Sequence, residues 1–413
     1  ASGVEHGRLQ LISAEASRWS GEHEAAREHA HAAMRDLPQG EGDWYVAAAE
    51  ATEAAMTLGH VDEARGVAER VLEISSAPSP STRGRTEVMP GNAPGITAAA
   101  PMTAARVVAT SRIATALGVA GLYEIAGALL APIDRDEAFI SKEPAARAFL
   151  LSANVARASW EGDLERAATL AKDAVVCFDV LGDGRNAARQ RQHAGWALSE
   201  LGAYPIAEAV LVEARDSAER LGLAVVANDA KLRLGHLYVR TNRRDEAVKT
   251  TQEVIAAYAA QRDRVGEGRA WAYLAGVHYF ANDHEAAEAD ALKALPLLEH
   301  APPYRAALMA FLTLTLIHKG ASSDEVILAG EEAMRLLEQV GVVAEGEALI
   351  RVAYAEALHY KGDVHGARKA IAAARDRLLL RAGKIKDAEL KRAFLAVVRE
   401  NMRTLARAGE WLA

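Results

Sequence analysis

Leu201-Gly202-Ala203-Tyr204-Pro205-Ile206-Ala207 places a turn glycine five residues ahead of an alanine, and Trp160-Glu161-Gly162-Asp163-Leu164-Glu165-Arg166-Ala167 does the same. The arrangement occurs nine times, with turn residues Gly21, Gly59, Gly121, Gly162, Gly202, Asn242, Asn282, Gly320 and Gly362. Eight of them have alanine at the fifth following position: Ala26, Ala64, Ala126, Ala167, Ala207, Ala247, Ala287 and Ala367. Gly320 breaks the rule with Glu325. Successive turns are 38, 62, 41, 40, 40, 40, 38 and 42 residues apart. A fixed period of this length marks stacked repeats, each packing on its neighbours, rather than one globular core.

Each period reads as two helices about its turn. Around Gly202 these are residues 185–201 and 205–220, closed by Leu221-Gly222. Seven residues before each turn the side chain is small (Ala14, Thr52, Ala114, Gly195, Gly235, Ala275, Thr313 and Ala355), with Val155 the exception. Twelve after it comes Ala33, Ala174, Ala214, Ala294 or Ala374 in five units. Small residues there permit a close crossing of the paired helices. Half the residues are hydrophobic but only 5% are aromatic, and alanine, the best helix former, carries much of the total. No run alternates as a strand would, so the chain is read as all-α.

The small residue, the turn glycine and the two alanines resemble the tetratricopeptide repeat (TPR), in a form with about 40 residues per unit. Gly195-Trp196 with Gly202, and Leu234-Gly235 with Tyr238 and Asn242, match it best. The resemblance implies a right-handed α-solenoid of about nine antiparallel helix pairs, a scaffold for binding rather than for catalysis. Residues 1–74 are expected to form repeats 1–2 as a semi-independent pair, and residues 103–381 repeats 3–9. Between them, residues 75–102 hold Pro78, Pro80, Pro90, Pro94 and Pro101, which preclude a continuous helix. This insertion is read as a solvated loop; a segment folded back into the groove, or a linker phosphorylated at Ser79, is the alternative. Residues 382–413 carry no turn signal and are expected to cap the stack with helix.

That tail, with Arg392-Ala393-Phe394-Leu395, Glu400-Asn401-Met402-Arg403-Thr404-Leu405-Ala406 and Trp411-Leu412, is similar to the ends of repeat regions in large bacterial signalling proteins. There a serine/threonine kinase module, often with an ATPase module, precedes the repeats. Arginine outnumbers lysine 37 to 11, which fits a GC-rich bacterial genome. The start at Ala1, without methionine or signal peptide, suggests a piece of a longer protein.

The net charge of −8 is spread without a basic block, which disfavours nucleic acid as partner. No apolar run reaches the length of a membrane span. A single cysteine, Cys177, excludes an internal disulfide, fits the reducing cytoplasm, and is read as a small buried hydrophobe. His23-Glu24-Ala25-Ala26-Arg27-Glu28-His29 mimics a zinc-protease helix, but its histidines are six apart and on different faces. His23 and His284 each sit two residues after a turn, where Tyr123 and Tyr204 stand in other units, and are read as packing residues. Gly182-Asp183-Gly184 follows a helix instead of a strand, so it joins two units rather than holding a dinucleotide. No phosphate loop or kinase motif is present, so no catalytic residue, cofactor or metal is assigned.

In a TPR superhelix the first helices line the concave face. The resemblance places the groove about 13, 10, 6 and 3 residues before each turn. This selects Arg189, Gln192, Trp196 and Ser199, then Asp229, Leu232, His236 and Val239, then Arg269, Ala272, Gly276 and Tyr279. Phe149, Ser152 and Ser159 come before them, and Glu356 and His359 after. Guanidinium and aromatic groups together suit an extended peptide or a partner's tail, although Trp196 and Tyr279 could equally pack between units. The expected partner is a protein or peptide in the groove, or the upstream module of the same protein. A metabolite-sensing repeat domain of an ATPase-type regulator, and a purely structural oligomerisation scaffold, are the alternatives.

Overall fold

The computed structural model describes residues 3–76, 102–341, 343 and 345–413. Within them the chain forms 21 α-helices and no strand. It divides into two compact units, residues 1–157 and 158–413. Most of the insertion at 75–102, including Ser79, lies outside the described residues.

All nine turn residues adopt the left-handed backbone, with φ between 59° and 91°. At Gly202 the chain closes with Ala203 N–H donating to the Leu198 carbonyl at 3.0 Å, and the same bond recurs at the other turns, as from Asp163 to Ala158 and Asp363 to Leu358. A carbonyl left open at the helix end is thus satisfied by the residue after the left-handed one. The next helix starts at once. Asp163, Asp283 and Asp363 cap theirs by accepting from the amide three residues on.

The eight alanines that follow the turns are at most 1% exposed. The small residues before the turns serve the same crossing: a Cβ on Gly195 would lie 2.6 Å from Leu211 Cγ on the paired helix. The departure at Gly320 has a local cause. Ser322 and Glu325 form a capping box that starts the helix Ser323–Val340 one residue late. Val326, buried completely, takes the place that alanine fills elsewhere.

In the first unit the helices Gly42–Leu58 and Ala104–Val119, on either side of the insertion, pack directly on each other. Arg112 donates to Glu50 at 2.7 Å and to Glu53 at 2.9 Å, and Arg18 meets Glu50 at 2.6 Å. In the second unit, Cys177 is half-buried, not buried as expected. Its helix Leu164–Val180 turns Ala171, Ala174 and Phe178 into the core, and position 177 falls at the edge of that stripe.

Candidate functional site: the inner face of the second unit

The first helices of successive repeats in the second unit are Gly184–Glu200, Ala224–Arg240, Arg264–Phe280, Pro302–Lys319 and Glu347–Lys361. In the repeats turning at Gly202, Asn242 and Asn282, residues 9 and 2 before the turn, among them Glu200, Arg233, Arg240, Tyr273 and Phe280, join this face. Of the residues expected at 10 and 3, only Tyr279 and, in the last repeat, His359 reach the covering helix Arg399–Leu412. Gln192, Ser199, Leu232, Val239 and Ala272 are buried instead. The missed residues follow the helical spacing i, i+4, i+7, i+11, as in 229, 233, 236 and 240, so the signal was present.

Asp229 and Arg269 come together: Arg269 Nη2 donates to Asp229 Oδ1 at 3.1 Å, and Tyr258 donates to the same oxygen at 3.2 Å. Arg269 also lies over the Tyr304 ring, 4.7 Å from its centre. Trp196 faces Arg233, whose guanidinium sits 5.4 Å from the ring. His236 packs edge-on against Tyr273 at 5.4 Å. Burial, with Arg240, Arg233 and Arg399 around it, holds His236 well below the usual imidazole range, so it is neutral at pH 7. Arg189 is exposed. His284, read as a packing residue, stacks on His318 at 4.6 Å beside Tyr279.

This face is covered by the chain itself. Glu345, between the helices Ser323–Val340 and Glu347–Lys361, accepts from Tyr273 at 2.5 Å and Arg233 at 3.4 Å. The long helix Val364–Lys384 ends where the unit began, with Lys384 donating to the Glu161 carbonyl at 2.6 Å. The Lys386 and Asp387 amides follow by donating to Glu165. After the helix Ala388–Ala396, the terminal helix Arg399–Leu412 lies across the turn-proximal ends of the first helices. Arg399 donates to the Val239 and Phe280 carbonyls, both at 3.3 Å, and Glu400 accepts from Arg240 at 2.6 Å. Arg403 bridges Tyr279 Oη at 2.6 Å and Glu356 at 2.5–2.6 Å, and Arg407 meets Glu356 at 3.0 Å. Trp411 stacks on His359 at 4.5 Å. Against burial, which raises it, the two arginines hold the Glu356 carboxyl below its usual range.

Glu200 faces Glu345, Glu400, Arg240 and Arg381. Burial, then Glu345, pushes its carboxyl up to about 7. A raised carboxyl stabilises the fold below its unfolded value, and that contribution is lost as pH rises through about 7. Thermal unfolding between pH 6 and 8 should therefore show the wild type losing stability relative to Glu200→Gln, which should be the more stable chain at pH 8. Parallel pH profiles of the two chains would contradict this assignment.

No protein-family model matches the chain, and no curated protein does. Among solved structures, a Rap protein complexed with competence and sporulation factor aligns with a TM-score of 0.57 at 11% identity, over 90% of this chain and 100% of the Rap chain. The fold is a TPR-like helical-repeat array. A signal transduction ATPase with numerous domains and a tetratricopeptide repeat sensor, from Pyrococcus horikoshii, aligns at 15% identity and a TM-score of 0.44, over 90% of this chain and 55% of that one. Yeast Tom70 aligns at 11% identity and a TM-score of 0.36, over 99% of this chain and 96% of Tom70. Among the described residues of the array, no helix is long and apolar enough to cross a membrane, and no cluster of three or more His, Cys, Asp or Glu could hold a metal ion.

Proposed function

We propose that the array is a non-enzymatic protein- or peptide-binding scaffold or sensor that regulates a larger bacterial cytoplasmic signalling protein, kinase-linked or ATPase-linked. The observation that carries this reading is the seat of residues 399–412. A helix lies across the first helices of successive repeats, held by charged groups on both sides. A surface that holds one helical segment through side-chain pairs can hold another of matching chemistry. The Rap neighbour, complexed with competence and sporulation factor, supports the same reading by analogy of fold. The similarity of residues 392–412 of this chain to the ends of repeat regions in kinase-bearing signalling proteins supports the signalling context.

Selection of random peptides on the immobilised full chain tests it. Binders are expected whose affinity falls at least tenfold in Arg189→Glu or Glu356→Gln chains that keep the wild-type circular dichroism spectrum. Selection of no sequence above background, or binders indifferent to both substitutions, would count against it.

A further inference from the structure

The first helices of the array turn one side towards the repeat that precedes them, at positions twelve, nine and five before the turn. Twelve before it, Ala47, Ala109 and Ala230 are wholly buried, and five before it so are Ala54, Leu237 and Val277. Nine before it, Glu50 accepts from Arg18 of the preceding first helix at 2.6 Å, and Arg233 lies over Trp196 of its own predecessor.

The helix Gly3–Ser20, which ends at the turn of Gly21, has Leu9, Ile12 and Ala16 at these places, with Trp19 two before the turn. Gly7 and Ala14, on its other side, are buried. Leu9 is 59% exposed and Ile12 64%, and Ala16 and Trp19 are exposed beside them. An apolar row laid open at positions that bury between repeats marks an interaction surface.

Its spacing and its borders say what covers it. Positions 9, 12, 16 and 19 are three, four and three apart, the seam of a two-helix pair. Arg8 and Glu15 border the seam on one side, two turns apart, and Ser13 and Ser20 border it on the other. In an antiparallel pair of identical helices like borders face each other, so Arg8 meets Glu15 of the second copy, and the twofold axis repeats the meeting. A parallel pair would set both charges against serines. Glu15 is exposed, and Arg8, whose Nε donates to Asp43 at 2.9 Å, keeps 64% of its side chain exposed.

We infer that a second copy of this chain covers the stripe, the two Gly3–Ser20 helices pairing antiparallel with Leu9 of each against Ile12 of the other. The apolar contact supplies the affinity, while the Arg8–Glu15 pairs at the rim set the orientation. A seam of about three turns is small, so the dimer is reversible. It shares no residue with the face proposed to bind a peptide, so each reading stands or falls without the other.

Light scattering on the full chain should show the mass climbing from 44.0 kDa towards twice that value as concentration rises from roughly micromolar to hundreds of micromolar. Ile12→Asp, at an exposed site, should keep the wild-type circular dichroism spectrum and weaken the dimer about tenfold. Arg8→Glu brings like charges together at both ends of the seam, as does Glu15→Arg, and each alone should weaken self-association several-fold. Mixed one to one, these two single variants should recover it, because each then meets its opposite charge in the other. A wild type that stays at 44.0 kDa throughout overturns the inference and gives the stripe a different occupant. A dimer indifferent to Ile12→Asp, or to both charge variants, overturns it by placing the contact elsewhere. One that is lost in both charge variants and not regained on mixing overturns the antiparallel pairing.

Discussion

Gly202→Val is expected to loosen the terminal segment and to cost about 3 kcal/mol, combining left-handed strain at a β-branched residue with overpacking. Gly202 has φ +79°, and a Cβ there would lie 2.9 Å from the Ala393 carbonyl oxygen and 3.1 Å from its carbon. The obstruction is backbone, which cannot swing aside as a side-chain tip does. Gly222→Val is the control: its φ is +69°, but no atom lies within 4 Å of the added Cβ. It should show the backbone strain alone. Tryptic cleavage after Lys391 and Arg392 should be at least tenfold faster in Gly202→Val than in the wild type. Similar rates in the two valine variants would mean that the turn at Gly202 does not support the 388–398 segment.

Glu347→Ala is expected to be the more damaging single change, at about 3–5 kcal/mol, because removing one partner of a buried ionic cluster leaves the others uncompensated. Glu347 is 2% exposed. It accepts from Arg351 at 3.0 Å and from Arg377 at 2.8 and 3.1 Å, and Arg381 lies 3.8 Å away. Arg381 is itself buried, so truncation strands a guanidinium in the interior. Burial raises the Glu347 carboxyl, but Arg377, Arg381 and Arg351 together hold it below the usual range. A depressed carboxyl stabilises the fold above its unfolded value, and that contribution is lost as pH falls through the folded one. Denaturant unfolding at pH 7 should thus separate the wild type from Glu347→Ala widely, and the gap should narrow in acid. A gap that is small at pH 7, or constant with pH, would show that the cluster contributes little.

The repeat itself was legible in the chain. A left-handed turn accepts glycine or asparagine, and a close helix crossing accepts alanine or glycine, so the same residues return at every unit wherever those demands return. Even the exception at Gly320 was visible as Glu325, although its cause, the capping box with Ser322, became clear only from the start of the helix that follows. The groove was half legible. Asp229, His236, Arg269, Tyr279, Glu356 and His359 have inward or tail-facing contacts, but a one-residue error rotates a helical position by 100°, enough to exchange Arg233 and Tyr273 for the buried Leu232 and Ala272. No local pattern announces that Glu400 meets Arg240 across 160 residues, or that Lys384 reaches Glu161 across 223. Those meetings depend on the small rotation between units, summed over the second unit until its end returns to its beginning. Local stereochemistry therefore settled the units and their count in the sequence. Accumulated curvature, which only the tertiary structure contains, decided that the inner face is occupied and by which residues.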